Sequence, residues 1–255
     1  MPDHDTPSLP PPRVAVQRGW GWWREGFHLF REQPLTMLLF GLVYCMVLLG
    51  FQLLPGVGSV LAVFLGPLLT AGFLQVAARL TRAEEPRLAE LFAAFRQPGV
   101  ASLLGIGLWY LVMLMSVAFL VTLLAVALGL APSPEALQAE PISQDTMDQL
   151  LTLGMMVMLA ALPVAAAYWL APALVTFEQA SAAEAMWRSL RFMWRNLGAF
   201  ALYLSGMAIL TLAALLTYGA AFIVVAPLSM LSLYACYRDL AGQGPVQIDN
   251  AGWVE

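Results

Sequence analysis

The stretch PLTMLLFGLVYCMVLLGFQLLPGVGSVLAVFLGPLLTAGFLQVAA, from Pro34 to Ala78, carries no charged side chain. About 20 apolar residues let a helix cross the ~30 Å hydrocarbon core of a bilayer. The stretch is long enough for two such helices. Pro55-Gly56-Val57-Gly58 supplies turn residues between them. A helix on a soluble protein keeps one polar face for water, and neither half of this stretch has one. The reading that follows is a hairpin of two membrane-spanning helices.

The rest of the chain repeats the signal. Charge-free stretches run from Val100 to Leu130, from Leu150 to Phe177 and from Leu197 to Tyr237. The last is again long enough for two spans, with a break at Tyr218-Gly219. The expectation is an all-α, polytopic transmembrane bundle of six spans, near 35–54, 57–79, 100–129, 150–177, 198–217 and 220–238. Composition agrees. Hydrophobic residues make up 60% of the chain and charged residues 11%, against about 25% charged in soluble proteins. The transmembrane domain is expected over 17–240. Residues 1–16, with Pro10, Pro11 and Pro12 in a row, lack the order of a signal peptide. They and residues 241–255 read as disordered tails.

All twelve basic residues are arginines. With six spans, the N-terminal segment, the 79–97 and 178–197 loops and the C-terminus share one side, and every Arg falls there. The turns near residues 56 and 219 and the acidic 131–149 loop share the other side, with no Arg. The positive-inside rule places the arginine side, and both termini, in the cytoplasm. A net charge of −4 speaks against nucleic acid as a partner. Local Arg clusters suit anionic head groups, so membrane lipids are the expected partners, with other membrane proteins as further candidates.

Three arginine-bearing segments resemble one another. Trp20, Trp23, Phe27 and Phe30 follow helical spacing, with Arg24 and Arg31 between or beside them. Leu88, Leu91, Phe92 and Phe95 precede Arg96. Met186, Trp187, Leu190, Met193 and Trp194 alternate with Arg188, Arg191 and Arg195. Each reads as an amphipathic helix lying at the interface ahead of a span. The expected anchoring set is Trp20, Trp23, Phe27, Phe30, Arg31, Phe92, Phe95, Arg96, Trp187, Arg191, Trp194 and Arg195, since aromatic rings settle at head-group level and Arg reaches phosphate. The second span of each pair carries a small residue and then proline: Gly66-Pro67, Ala171-Pro172 and Ala226-Pro227. The pattern suggests three units, each an amphipathic helix plus a hairpin. Pro67, Pro163, Pro172 and Pro227 are expected helix kinks, since proline frees a carbonyl in the preceding turn.

Chemistry is hard to find. The apolar stretches hold no Asp, Glu, Arg or His, the residues that usually mark proton relays. His4 and His28 are far apart in sequence. Cys45 and Cys236 sit in apolar runs and read as small buried hydrophobes. No nucleophile elbow, phosphate loop or zinc motif occurs. No cofactor, metal or catalytic residue is assigned. Scattered polar residues in the spans, among them Gln75, Ser116, Tyr203, Ser205, Thr211, Ser229, Ser232 and Tyr234, are expected to hydrogen-bond between helices. Glu184 and Arg188 form an i,i+4 pair.

Certain motifs carry a resemblance. They are Trp169 to Val175, Ala185-Met186, Ser189 to Asn196, Arg18-Gly19-Trp20, Gly26-Phe27, Phe30 to Leu35, and Tyr234 with Tyr237-Arg238-Asp239. Together they resemble an uncharacterised family of proteobacterial inner-membrane proteins, over residues 18–240. One departure is a segment after Val175 without the proline expected there. The resemblance implies a multi-pass inner-membrane protein of unknown function and supplies no catalytic residue. Three readings stand open: a non-enzymatic scaffold or accessory factor, a channel or transporter for a small or lipid-like solute, and an intramembrane lipid-modifying enzyme. The enzyme would have to draw on Glu178, Glu184 and His28.

Overall fold

A computed structural model describes residues 12–138 and 141–246. Ten helices account for most of them: α1 (Arg18–Glu32), α2 (Pro34–Gln52), α3 (Gly58–Leu80), α4 (Val100–Ala127), α5 (Pro134–Gln138), α6 (Gln144–Trp169), α7 (Ala171–Glu178), α8 (Ala182–Arg195), α9 (Leu197–Leu216) and α10 (Phe222–Leu240). A 3-10 segment, Leu88–Arg96, links α3 to α4. Six of these helical units are long and apolar enough to cross a bilayer, with α6 and α7 counted as one. The described residues are all-α, as the sequence indicated.

The turns arise where the backbone leaves the right-handed helix. Gly56 (φ +75°) follows α2. Tyr218 (φ +53°) and Gly219 (φ +87°) end α9, and the Gly219 N–H reaches back to Ala214 O at 2.9 Å. The weak turn signal at Tyr218-Gly219 therefore does separate two spans. The fourth span starts earlier than expected. Ser143 caps α6 by accepting from the Thr146 N–H at 3.1 Å, and Asp145 sits favourably in the first turn. Gln144 to Gln149, read as loop, are helical.

The core is formed by the second span of each pair. α3, α7 and α10 pack on one another, and α3 and α10 are the most buried spans. Pro67, Pro172 and Pro227 are buried in this inner layer, while Pro163 faces outward. Pro67, Pro163 and Pro227 lie inside unbroken helices. Pro172 instead opens a new helix, α7, after a break at Leu170, because an imide without N–H is tolerated in a first turn. The hydroxyl of Ser189 bridges that break. It accepts from the Leu170 N–H at 3.1 Å and donates to Ala166 O at 2.7 Å, two groups a continuous helix would pair directly.

The arginine-bearing segments pack around this core in a regular order. α1 lies on α10 and α9, the 3-10 segment on α3, and α8 on α6, α4 and α7. α1 docks closely on α9 and α10. A methyl group on Gly19 would sit 2.0 Å from Ala199 O, and one on Gly26 would sit 2.7 Å from Ser232 N. Only glycine permits these approaches. The tail expectation is partly corrected. Asn196 accepts from the Val14 N–H at 2.8 Å and donates to Pro12 O at 3.0 Å. The Val246 N–H donates to Glu25 at 2.9 Å. Residues 12–16 and 241–246 are thus tied to the bundle, and residues 1–11 and 247–255 lie outside the described part.

Candidate functional site: the arginine-bearing face

α1 turns Gly19, Trp22, Trp23, Gly26 and Leu29 inward, the i, i+3, i+4, i+7 stripe of a helix packed on one face. This corrects the role expected for Trp23. It is a core residue, 5% exposed; it stacks on Tyr203, and its indole N–H donates to Tyr203 O at 3.0 Å. Trp20, Phe27 and Arg31 face outward, and Phe30 is half-buried. In the 3-10 segment, residues three apart are eclipsed. Leu91 and Ala94 therefore share the buried side, and Phe92, Phe95 and Arg96 share the outer one. On α8, Ala185, Met186, Ser189 and Phe192 are buried. Trp187, Trp194 and Arg195 point outward, and Arg191 is half-buried. Nine of the twelve expected anchoring residues are exposed.

Charge on this face is organised by three ties, each joining an amphipathic segment to the end of an inner helix. In the first, Arg18 of α1 donates to both carboxylate oxygens of Asp239 on α10, at 2.7 and 3.0 Å, and to Glu25 at 2.6 Å. The Trp22 indole N–H donates to Asp239 at 2.7 Å. Burial opposes the Arg18 cation, but bonds to Asp239 and Glu25 outweigh it and raise its pKa. The second tie runs from Arg79 at the end of α3 to Glu90 of the 3-10 segment, with Glu84 3.0 Å from Arg79 Nε as an ionic contact lacking hydrogen-bond geometry. The third joins Arg188 of α8 to Glu178 of α7 at 2.6 Å, and Tyr237 donates to the same carboxylate at 3.3 Å. The expected Glu184–Arg188 pair is present but longer, at 3.8 Å.

Sequence reading missed Trp22, Glu25, Ser189 and Asp239 as site-forming residues. The signal for Trp22 was present: Gly19, Trp22, Gly26 and Leu29 keep helical spacing once the glycines are counted as contact residues. Asp239 gave none, since its partner is distant in sequence. Of the polar residues in the spans, the Tyr203 and Ser232 hydroxyls meet across α9 and α10 at 2.8 Å, and Gln75 pairs with Gln97. Ser116 and Ser205 instead donate to carbonyls of their own helices.

Two apolar grooves lie against the spans. One, about 320 Å³, is bounded by α1, α9 and α10. The other, about 710 Å³, lies between α2, α9 and α10, with Tyr44, Thr211 and Ser229 among mostly aliphatic walls. A third cavity, about 420 Å³, sits at the polar end beside Arg79, Arg82, Gln75 and Gln97. Among the described residues no group of three or more His, Cys, Asp or Glu is placed to hold a metal.

These features define an integral, multi-pass helical membrane protein whose arginines, and whose ion pairs among the described residues, are gathered at one end of the bundle. The chain is similar to a protein described as a probable inner membrane protein of Burkholderia thailandensis, 28% identical over 251 residues that cover 90% of this chain and 93% of the relative. No protein-family model and no solved structure matches it. The similarity points to the same group as the motifs, proteobacterial inner-membrane proteins of unknown function. The chain is itself an inner-membrane protein.

Proposed function

We propose that the protein is a non-enzymatic scaffold or accessory factor of the inner membrane, with its arginine face and both termini in the cytoplasm. The observation that carries this reading is the use made of charge at that face. Glu178, Glu90 and Asp239 each face an arginine across two packed segments, and Glu25 and Glu184 pair with the same arginines, Arg18 and Arg188, from within α1 and α8. Acids committed in this way position helices and are poor general acids or bases. The orientation rests on the one-sided arginine distribution. Purifying the tagged chain from native membranes, with identification of co-purifying proteins and lipids, tests the scaffold: a defined, stoichiometric protein partner is expected. Reporter fusions at residues 140 and 255 test orientation, with activity expected from an extracytoplasmic reporter at 140 and from a cytoplasmic one at 255.

A transporter for an apolar or lipid-like solute is the second reading. The 710 Å³ groove at membrane depth, with the hydroxyl-bearing side chains of Tyr44, Thr211 and Ser229 in its walls, favours it. Solute flux in proteoliposomes that is abolished by Ser229→Leu would replace the scaffold reading. The lipid-modifying enzyme is tested by alanine variants of Glu178, Glu184 and His28, which are expected to complement a deletion fully.

A further inference from the structure

We propose that the groove between α1, α9 and α10 binds one anionic phospholipid, with an acyl chain in the groove and the phosphate on Arg24. The groove lies under Trp20 and Phe27 of α1 and runs along Gly206 and Ile209 of α9 to Leu228 of α10. Its lining is apolar apart from Arg24, which stands at its α1 edge. On α9 the lining runs from Gly206 to Leu210, about 6 Å at ~1.5 Å per residue. At about 320 Å³ the groove takes the head-group-proximal part of one acyl chain, beside Arg24 at its edge.

Charge selects the head group. Arg24 is exposed, and among the described residues no carboxylate lies within ion-pair distance of it, unlike Arg18, Arg79 and Arg188. Its neighbour Glu25 is turned to Arg18 and to the Val246 N–H. Arg31, one face-repeat along α1, lies 6.0 Å from the centre of the Phe27 ring and adds a second cation to the same edge. Two arginines beside an apolar slot match a phosphate on a chain better than a head group that brings its own ammonium.

The test uses the full-length protein, mildly delipidated and offered equal amounts of phosphatidylglycerol and phosphatidylethanolamine, with bound lipid counted by native mass spectrometry. One phosphatidylglycerol is expected to be retained in preference. Arg24→Gln is expected to lower its occupancy about tenfold, as loss of a charge-assisted contact would. Ile209→Trp, which fills the groove from an exposed position, is expected to lower retention of both lipids. Arg82→Gln, an exposed arginine just past the end of α3, is expected to change nothing. Equal retention of the two lipids, equal losses in the Arg24 and Arg82 variants, or full retention in Ile209→Trp would each overturn the proposal.

Discussion

Ser189 and Asp239 show how much single polar atoms hold here. Ser189 is fully buried, and its one hydroxyl satisfies a backbone donor and a backbone acceptor at the helix break. Ser189→Ala leaves both unsatisfied, at a cost of about 1–3 kcal/mol. A lowered melting temperature in detergent is expected, while Ser205→Ala, whose exposed hydroxyl bonds only its own helix, should melt like the parent. Asp239 is 7% exposed and serves both Arg18 and Trp22. Removing one partner of a buried ion pair costs roughly 3–5 kcal/mol, and the 23% exposure of the Arg18 side chain puts this case toward the lower end. Asp239→Ala should destabilise more than Asp239→Asn, which keeps an acceptor for the indole N–H. A melt in which the two variants coincide would remove Trp22 from this account. Neither role was readable from sequence. A serine in an amphipathic segment looks like any solvated serine, and an Asp after Arg238 looks like the polar end of a span.

At the scale of elements, the spans were legible because the bilayer demands about 20 apolar residues in a row, and the sequence supplies such runs between arginine clusters. Their ends were less so: α6 gained a turn from a serine cap that a charge count passes over. The amphipathic segments were legible as helices but not in their facing. Trp20, Trp23, Phe27 and Phe30 were assigned together to one lipid side, whereas Trp23, like its neighbour Trp22, is buried in the protein and Trp20 and Phe27 face outward. The glycines decide this, since Gly19 and Gly26 bring α1 against backbone. Gly26→Leu is expected to release α1 without disturbing span insertion. Limited trypsin digestion in detergent should then cut at Arg18 and Arg24 far sooner than in the parent. An unchanged digestion pattern would mean that α1 stays docked through its polar ties alone.

Across the whole molecule, support is uneven. α2 is wedged between α3 and α10, and α4 between α3 and α6, whereas α9 packs chiefly on α1 and only lightly on α8 and α10. Freeing α1 should therefore loosen α9 before any other span. Hydrogen–deuterium exchange in Gly26→Leu is expected to rise across Leu197–Leu216 and to stay at parental levels across Val100–Ala127. Equal rises in both would show general unfolding. Each of the three ties joins a segment to the inner helix that precedes it around the bundle, with Arg and Glu trading places in the second. Sequence could suggest the units from their shared motifs. It could not show that the first of them closes onto the last, because that contact depends on residues far apart in the chain.

That closure has a consequence in time. Arg18 and Asp239 are 221 residues apart, and synthesis at ~5–20 residues per second separates their emergence by roughly 10–45 s. For most of that interval the ribosome-bound chain holds an amphipathic helix whose tryptophans, and whose Arg18, have no distant partner to meet. Docking of α1 is thus a late step that reports arrival of the final span. Chains interrupted before Asp239 should be the ones that membrane proteases remove first.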